Sequence, residues 1–229
     1  MPGKPRAGDV FRPENVIGDF ASGQAVEGRA RAVLDDGRHF IEVRRGESQS
    51  WTRYPVDYTI GSKWQQAYAT TLDDKRMLVF PIQYSRNHGG WINYWRTVDA
   101  PGSARADIAQ FHDAPPEAIY QTTCAPCHTS QLRFATSADR PEAATFHEGG
   151  VNCETCHGPG SVHDKAKEID MPSTIVSPNK LSAERADVLC GQCHSRPQGF
   201  LKNDQPVNKD NKMMLPGTSR NTFLREYTT

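Results

Sequence analysis

Three short stretches decide the reading of this chain: Cys124-Ala125-Pro126-Cys127-His128, Cys153-Glu154-Thr155-Cys156-His157 and Cys190-Gly191-Gln192-Cys193-His194. They hold all six cysteines, and histidine follows each C-x-x-C pair at once. This is the spacing by which c-type haem is attached to a polypeptide. Two thiols three positions apart add to the two vinyl groups of one macrocycle. The next residue then lies under the iron and offers an imidazole nitrogen as proximal ligand.

The competing chemistries explain less. Histidine is 8 of 229 residues, so three chance placements after three pairs have a probability of order 10⁻⁴ or less. Zinc takes C-x-x-C pairs as Cys₄ or Cys₂His₂, but three pairs would make one Cys₄ site and leave an orphan. A thioredoxin-like motif would occur once, beside a βαβ pattern, and no such pattern is present. A disulfide framework leaves the histidines without a purpose. The reading is three covalently attached haem c groups.

Composition agrees. Counting glycine and leaving out tyrosine, apolar residues are about 41% of the chain, somewhat below the roughly 45–50% of an ordinary domain on the same count. Either much of the chain is loop, or something other than side chains fills its interior, and three haems would do so. Lys plus Arg and Asp plus Glu are 27 each, so the basic excess of a nucleic-acid binder is missing. No apolar run approaches the roughly 18 residues of a membrane span.

Working outward from the motifs, the chain divides into five parts. Residues 1–24 read as an extended lead-in, and residues 25–98, without cysteine, as a β-rich segment. Residues 99–110 read as a linker containing Pro101 and Gly102, residues 111–199 as the three-haem region, and residues 200–229 as a polar C-terminal segment. Arg38–Arg45 is predicted as a strand with His39, Ile41 and Val43 on one face and Phe40 and Glu42 on the other. Trp51–Ile60 is a second strand, broken by Pro55. Gln66–Leu72 and Lys75–Gln83 flank a hairpin turn at Asp73-Asp74, and Trp91–Trp95 is a short aromatic strand. In the haem region, Pro115-Pro116 can start a helix into the first motif. Ser182 suits an N-cap of a helix into the third. The fold class is α+β with much irregular structure: a small antiparallel β segment followed by a haem-packed region of short helices and loops.

Residues 124 to 194 cover 71 positions for three macrocycles. So little chain cannot shield each one, so the haems are expected to lie close together. Five histidines remain outside the motifs: His39, His88, His112, His147 and His163. A histidine close to a motif in sequence does not easily reach the far face of its own haem, so it would serve a neighbour. On that argument His112, twelve positions before Cys124, and His147, six before Cys153, are candidate distal ligands. The bland reading of His147 is a turn histidine bonded to backbone. His39 reads as a strand residue and His88 as a loop tip. Met77, Met171, Met213 and Met214 are alternative axial ligands, with packing as their ordinary role. Trp51, Trp64, Trp91, Trp95 and Tyr94 read first as sheet core. Arg133, Lys165, Arg185 and Arg196 could pair with haem propionates or simply face solvent.

Several stretches resemble the multihaem cytochromes c. They are EGGVNCETCHGPGSVH (Glu148–His163), YQTTCAPCHTSQL (Tyr120–Leu132) and LCGQCHSRPQG (Leu189–Gly199), with a weaker likeness in YTIGSKWQQAY (Tyr58–Tyr68) and WINYW (Trp91–Trp95). The relatives in view are the tetrahaem cytochrome of ammonia oxidisers and the hydroxylamine-oxidoreductase-like group. The likeness runs from about residue 25 to 200. It implies bis-histidine haems, electron transfer and a periplasmic or extracellular location. It also implies an axial-ligand role for the histidine after CHGPG, here His163. Such proteins often carry further haems on either side, which implies that this chain is a portion of a larger cytochrome or complex.

Location follows separately from chemistry, because bacterial haem attachment takes place outside the cytoplasmic membrane. No apolar signal segment follows Met1-Pro2-Gly3-Lys4-Pro5-Arg6, so the chain is expected to be a mature or truncated piece. Three function classes remain. An electron-transfer module would exchange electrons with redox partner proteins or other haem domains and would not be an enzyme. A reductase or oxidase of a small nitrogen or sulfur compound would need one five-coordinate haem. A haem-binding scaffold would dock a partner enzyme. Nitrite-reductase relatives replace one motif histidine by lysine, and that mark is absent here.

Overall fold

The structure is a computed structural model describing residues 9–10, 12–133, 144–194 and 215–218. It divides into two compact units, Met1–Cys124 and Ala125–Thr229. The class is α+β, with antiparallel sheets and a few short helices.

The described residues of the first unit form ten strands: β1 (Asp9–Val10), β2 (Ala25–Val26), β3 (Ala30–Asp35), β4 (Arg38–Val43), β5 (Thr52–Pro55), β6 (Tyr58–Ile60), β7 (Gln65–Thr71), β8 (Met77–Val79), β9 (Gln83–Ser85) and β10 (Gly90–Ile92). They form two antiparallel sheets rather than the single small one expected. One runs β2-β3-β4-β5, and the other β1-β6-β7-β9-β10 with β8 also on β7. The stretch read as one broken strand, Trp51–Ile60, is the switch between them. Pro55 ends β5 in the first sheet, and β6 pairs with β7 in the second. Lys75–Gln83 likewise splits into β8 and β9 around Pro81, whose missing N–H ends the ladder. Trp91–Trp95 is strand only as far as Ile92, and Trp95 opens a helical turn, α1 (Trp95–Val98). β3 escaped prediction because its buried residues, Ala30 and Ala32, have little strand preference. It pairs with β4 through Asp36-Gly37, both at positive φ (46° and 72°), as a two-residue hairpin turn requires.

Both sheets contribute to one core. Ala30, Ala32, Ile41 and Val43 come from the smaller sheet, and Tyr68, Leu78 and Trp91 from the larger. Phe80 stacks on Phe111 with ring centroids 5.1 Å apart. The lead-in supplies β1 and Phe20, whose ring stands edge-on to Tyr68 and Trp91. The stretch read as a linker carries Ile108 into the core and pairs Arg105 with Asp99 at 2.7 Å. A short 3-10 turn (Pro116–Ala118) leads to α2 (Tyr120–Thr123). The two are not one helix, because Ile119 between them is extended and bridges to Leu78.

The second unit is built differently. Its described residues include the helices α3 (Ala125–His128), α4 (Cys153–His157) and α5 (Ala183–His194), with 3-10 turns at Met171–Ser173 and Pro178–Lys180. Ser182 caps α5 by accepting from the Arg185 N–H at 3.4 Å. Its described core is small: Val188 and Leu189 packed by Leu181, with Ala125 and Leu132 also buried. Val151, Val162 and Ile169 are exposed. Among the described residues no helix is long and apolar enough to cross a membrane.

Candidate haem-attachment site

The second and third motifs are helical turns, and in the first a single turn residue, Cys124, precedes the helical Ala125–His128. That geometry follows from spacing: residues three and four apart share one helix face, so both thiols and the histidine line one side. The second motif is the best defined. Asn152 accepts from the Thr155 N–H at 3.1 Å while Thr155 Oγ1 accepts from the Asn152 N–H at 3.3 Å, closing a capping box at the start of α4. Gly158 ends the helix at φ 77°, ψ −177°, a region open essentially to glycine alone. Glu154 then holds the following loop, accepting from the Gly160 N–H at 2.7 Å and from Gln131.

His157 is fixed by the backbone of Val176. Its Nδ1 lies 2.8 Å from the Val176 carbonyl, and its own carbonyl accepts the Val176 N–H at 2.9 Å. A carbonyl only accepts, so Nδ1 carries the ring proton and Nε2 keeps a lone pair. His163 has the same polarity. Its Nδ1 lies 2.9 Å from Thr174 Oγ1 and 3.2 Å from the Met171 carbonyl.

The third motif forms the last turn of α5, with Cys190 and His194 exposed and Cys193 half-buried. In the first motif, Cys124 follows α2, its N–H donating to the Tyr120 carbonyl at 2.9 Å, and α3 carries Cys127 and His128. All six cysteines are free thiols. α3 and α5 touch, and Cys127 and Cys193 each aim Sγ at the other's carbonyl, at 3.9 and 4.0 Å. The hydrogen bond with Cys127, burial and the neighbouring thiols push the Cys193 thiol well above its ordinary value. Among the described residues no group of three or more His, Cys, Asp and Glu is arranged to hold a bare metal ion.

The other candidates are spread out. His112 lies in the first unit, its Nδ1 2.9 Å from the Tyr54 hydroxyl and its Nε2 buried without a hydrogen-bond partner. Burial, with the positive charge of Arg45, holds its imidazole below the usual value. His147 is exposed, in a segment tied to Ser130 by backbone bonds. His39 stands edge-on to Phe20 at 4.8 Å. His88 sits on the β9–β10 turn with Nδ1 2.9 Å from Ser85 Oγ. Met77 is buried within β8, and Met213, Met214 and Arg196 lie outside the described residues. Arg133, Lys165 and Arg185 are exposed. Of the aromatics, Trp91 is core, Trp51 lies between Arg31 and Arg44 at 4.4 Å from each, Trp95 lies against Arg105, and Trp64 is exposed. Sequence reading missed Thr174 and the carbonyls of Met171 and Val176, which leave no side-chain pattern. It also passed over Asn152–Thr155, whose cap spacing was legible.

These turns have relatives. Residues 88–158 match the family model for cytochrome c554 and c-prime. The match takes in the first two motifs and stops one residue past His157, and the third motif lies beyond it. No curated protein and no solved structure matches the chain. The family match supports a c-type cytochrome with covalently bound haem and a role in electron transfer. The described residues suit that group on their own terms: in the second motif, paired thiols outside any disulfide on one helical face and an imidazole with Nε2 available, and, beyond it, the exposed apolar side chains of Val151, Val162 and Ile169.

Proposed function

We propose that this chain is a multihaem c-type cytochrome module that relays electrons. Cys124 and Cys127, Cys153 and Cys156, and Cys190 and Cys193 would hold three haems, with His128, His157 and His194 as proximal ligands. Among the distal candidates, His163 is supported both by the resemblance and by a backbone carbonyl, which can only accept, beside its Nδ1. His112 and His147 stand as further candidates on sequence spacing. Bound there, haem supplies a one-electron iron couple, exchanged outer-sphere with redox partner proteins or other haem domains. The chain's part is to attach, orient and electrically tune, and no residue is assigned acid–base or nucleophilic work.

One observation carries this reading. Three C-x-x-C-H motifs of identical chemistry crowd into 71 positions, and few of the described apolar side chains after Cys124 are buried. The spacing supports close packing of mostly bis-histidine haems. The resemblance supports kinship with the ammonia-oxidiser tetrahaem and hydroxylamine-oxidoreductase-like cytochromes, a periplasmic or extracellular location, and membership of a larger haem protein. The test is the visible spectrum of protein made with the haem-maturation machinery, taken oxidised, reduced, and reduced under carbon monoxide. A low-spin c-type spectrum indifferent to carbon monoxide is expected. A carbon monoxide shift would reveal an open iron and turn the reading toward a reductase of small nitrogen or sulfur compounds. Absence of haem bands would overturn it.

A further inference from the structure

The short stretch Met171–Val176 touches two candidate ligand histidines at once. Val176 bonds His157 through both its N–H and its carbonyl. Two residues earlier, Thr174 meets His163. The Met171 carbonyl, 3.2 Å from His163 Nδ1, can only accept, which places the ring proton on Nδ1. The Thr174 hydroxyl donates to the same carbonyl at 2.8 Å, so its oxygen is turned to accept from Nδ1 as well. The Met171 carbonyl also accepts the Thr174 N–H at 3.1 Å, which locks the acceptor in place. Both imidazoles thus spend Nδ1–H on this one strip of chain and keep Nε2 for another partner. Neither Nε2 has a hydrogen-bond partner among the described residues.

We propose that Met171–Val176 is an orienting clip for two iron-ligating histidines, and that Thr174 is a positioning residue that selects the Nδ1–H tautomer of His163 and raises its basicity. The proposal rests on the haem reading above. An acceptor on the distant ring nitrogen fixes tautomer and orientation and makes the ligating nitrogen a stronger donor. A stronger donor favours the ferric state, so loss of the Thr174 oxygen raises the reduction potential of the haem that His163 serves.

The experiment compares wild type with Thr174→Val, Thr174→Ser and His163→Ala as holo-proteins, by redox titration, electron paramagnetic resonance and intact mass. Thr174→Val should keep three haems and raise one potential, by about tenfold in the ferrous-to-ferric ratio at fixed potential, or about 59 mV for one electron. Its low-spin g-values at that haem should move, and Thr174→Ser should restore both. His163→Ala should turn one haem high-spin. Nitrogen-15 NMR of ferrous wild type should show an exchange-protected Nδ1–H on His163, a readout that needs no variant to fold. Wild type with haem but no such proton, a Thr174→Val titration equal to wild type, or a His163→Ala protein wholly low-spin would each overturn the clip and leave the cytochrome reading intact. Wild type without haem would overturn both.

Discussion

Val176 holds His157 from two sides. Its carbonyl takes the imidazole Nδ1–H at 2.8 Å, and its N–H reaches the His157 carbonyl at 2.9 Å. Nineteen residues separate the pair, so the histidine of the second motif is oriented by chain well beyond its own helical turn. Removing the thiols leaves this bridge alone. The double variant Cys153→Ala, Cys156→Ala should therefore fold and carry two haems in place of three. Intact mass and the amplitude of the reduced α-band check this, and retention of three would detach the motif from its assigned chemistry.

Gly158 sets where that helical turn stops. At φ 77°, ψ −177° a Cβ is disfavoured even though no atom lies within 4 Å of where it would sit. Gly158→Ala should destabilise the protein by about 1–3 kcal/mol through backbone strain alone. Chemical denaturation of the holo-protein measures it, and a neutral result would mean the turn relaxes freely.

In the sheet unit, Asp99 receives Nε and Nη2 of Arg105, both at 2.7 Å, and the guanidinium lies 3.9 Å from the Trp95 ring centre. The two side chains keep only 19% and 12% of their surface. Asp99→Ala strands a largely buried cation and should cost about 3 kcal/mol, the lower end of the range for broken buried pairs. Urea unfolding followed by far-UV circular dichroism tests this.

Burial lowers the imidazole pKa of His39 from an ordinary 6.5. The unfolded chain then binds a proton that the folded chain refuses. Stability from this group is present above about pH 6.5 and is lost as pH falls below it. The melting temperature should drop between about pH 7.5 and pH 5, and His39→Gln should shrink that drop. Equal pH dependence in the variant would place the loss elsewhere.

The sheets were legible in outline only. β4 came through because Ile41 and Val43 alternate with Phe40 and Glu42, and β7 because its run is bounded by turn residues at Asp73-Asp74; Gln66 to Thr70 are in fact all buried. Trp51–Ile60 did not come through as two strands, because Pro55 says that a ladder stops there and not which sheet the next strand joins. The lead-in misled because its contribution is one buried ring, Phe20, whose partners Tyr68 and Trp91 lie far along the chain.

The attachment turns are another matter. Cys153, Cys156 and His157 share a face because a helix repeats every 3.6 residues, a relation contained within five positions. The amino-acid sequence alone therefore determined the thiol pairs and the histidine that follows each of them. Tertiary structure alone decided which strands share a sheet and which oxygens fix the imidazoles. Backbone carbonyls such as those of Met171 and Val176 are the same in every residue type, so only the path of the chain brings them to His163 and His157.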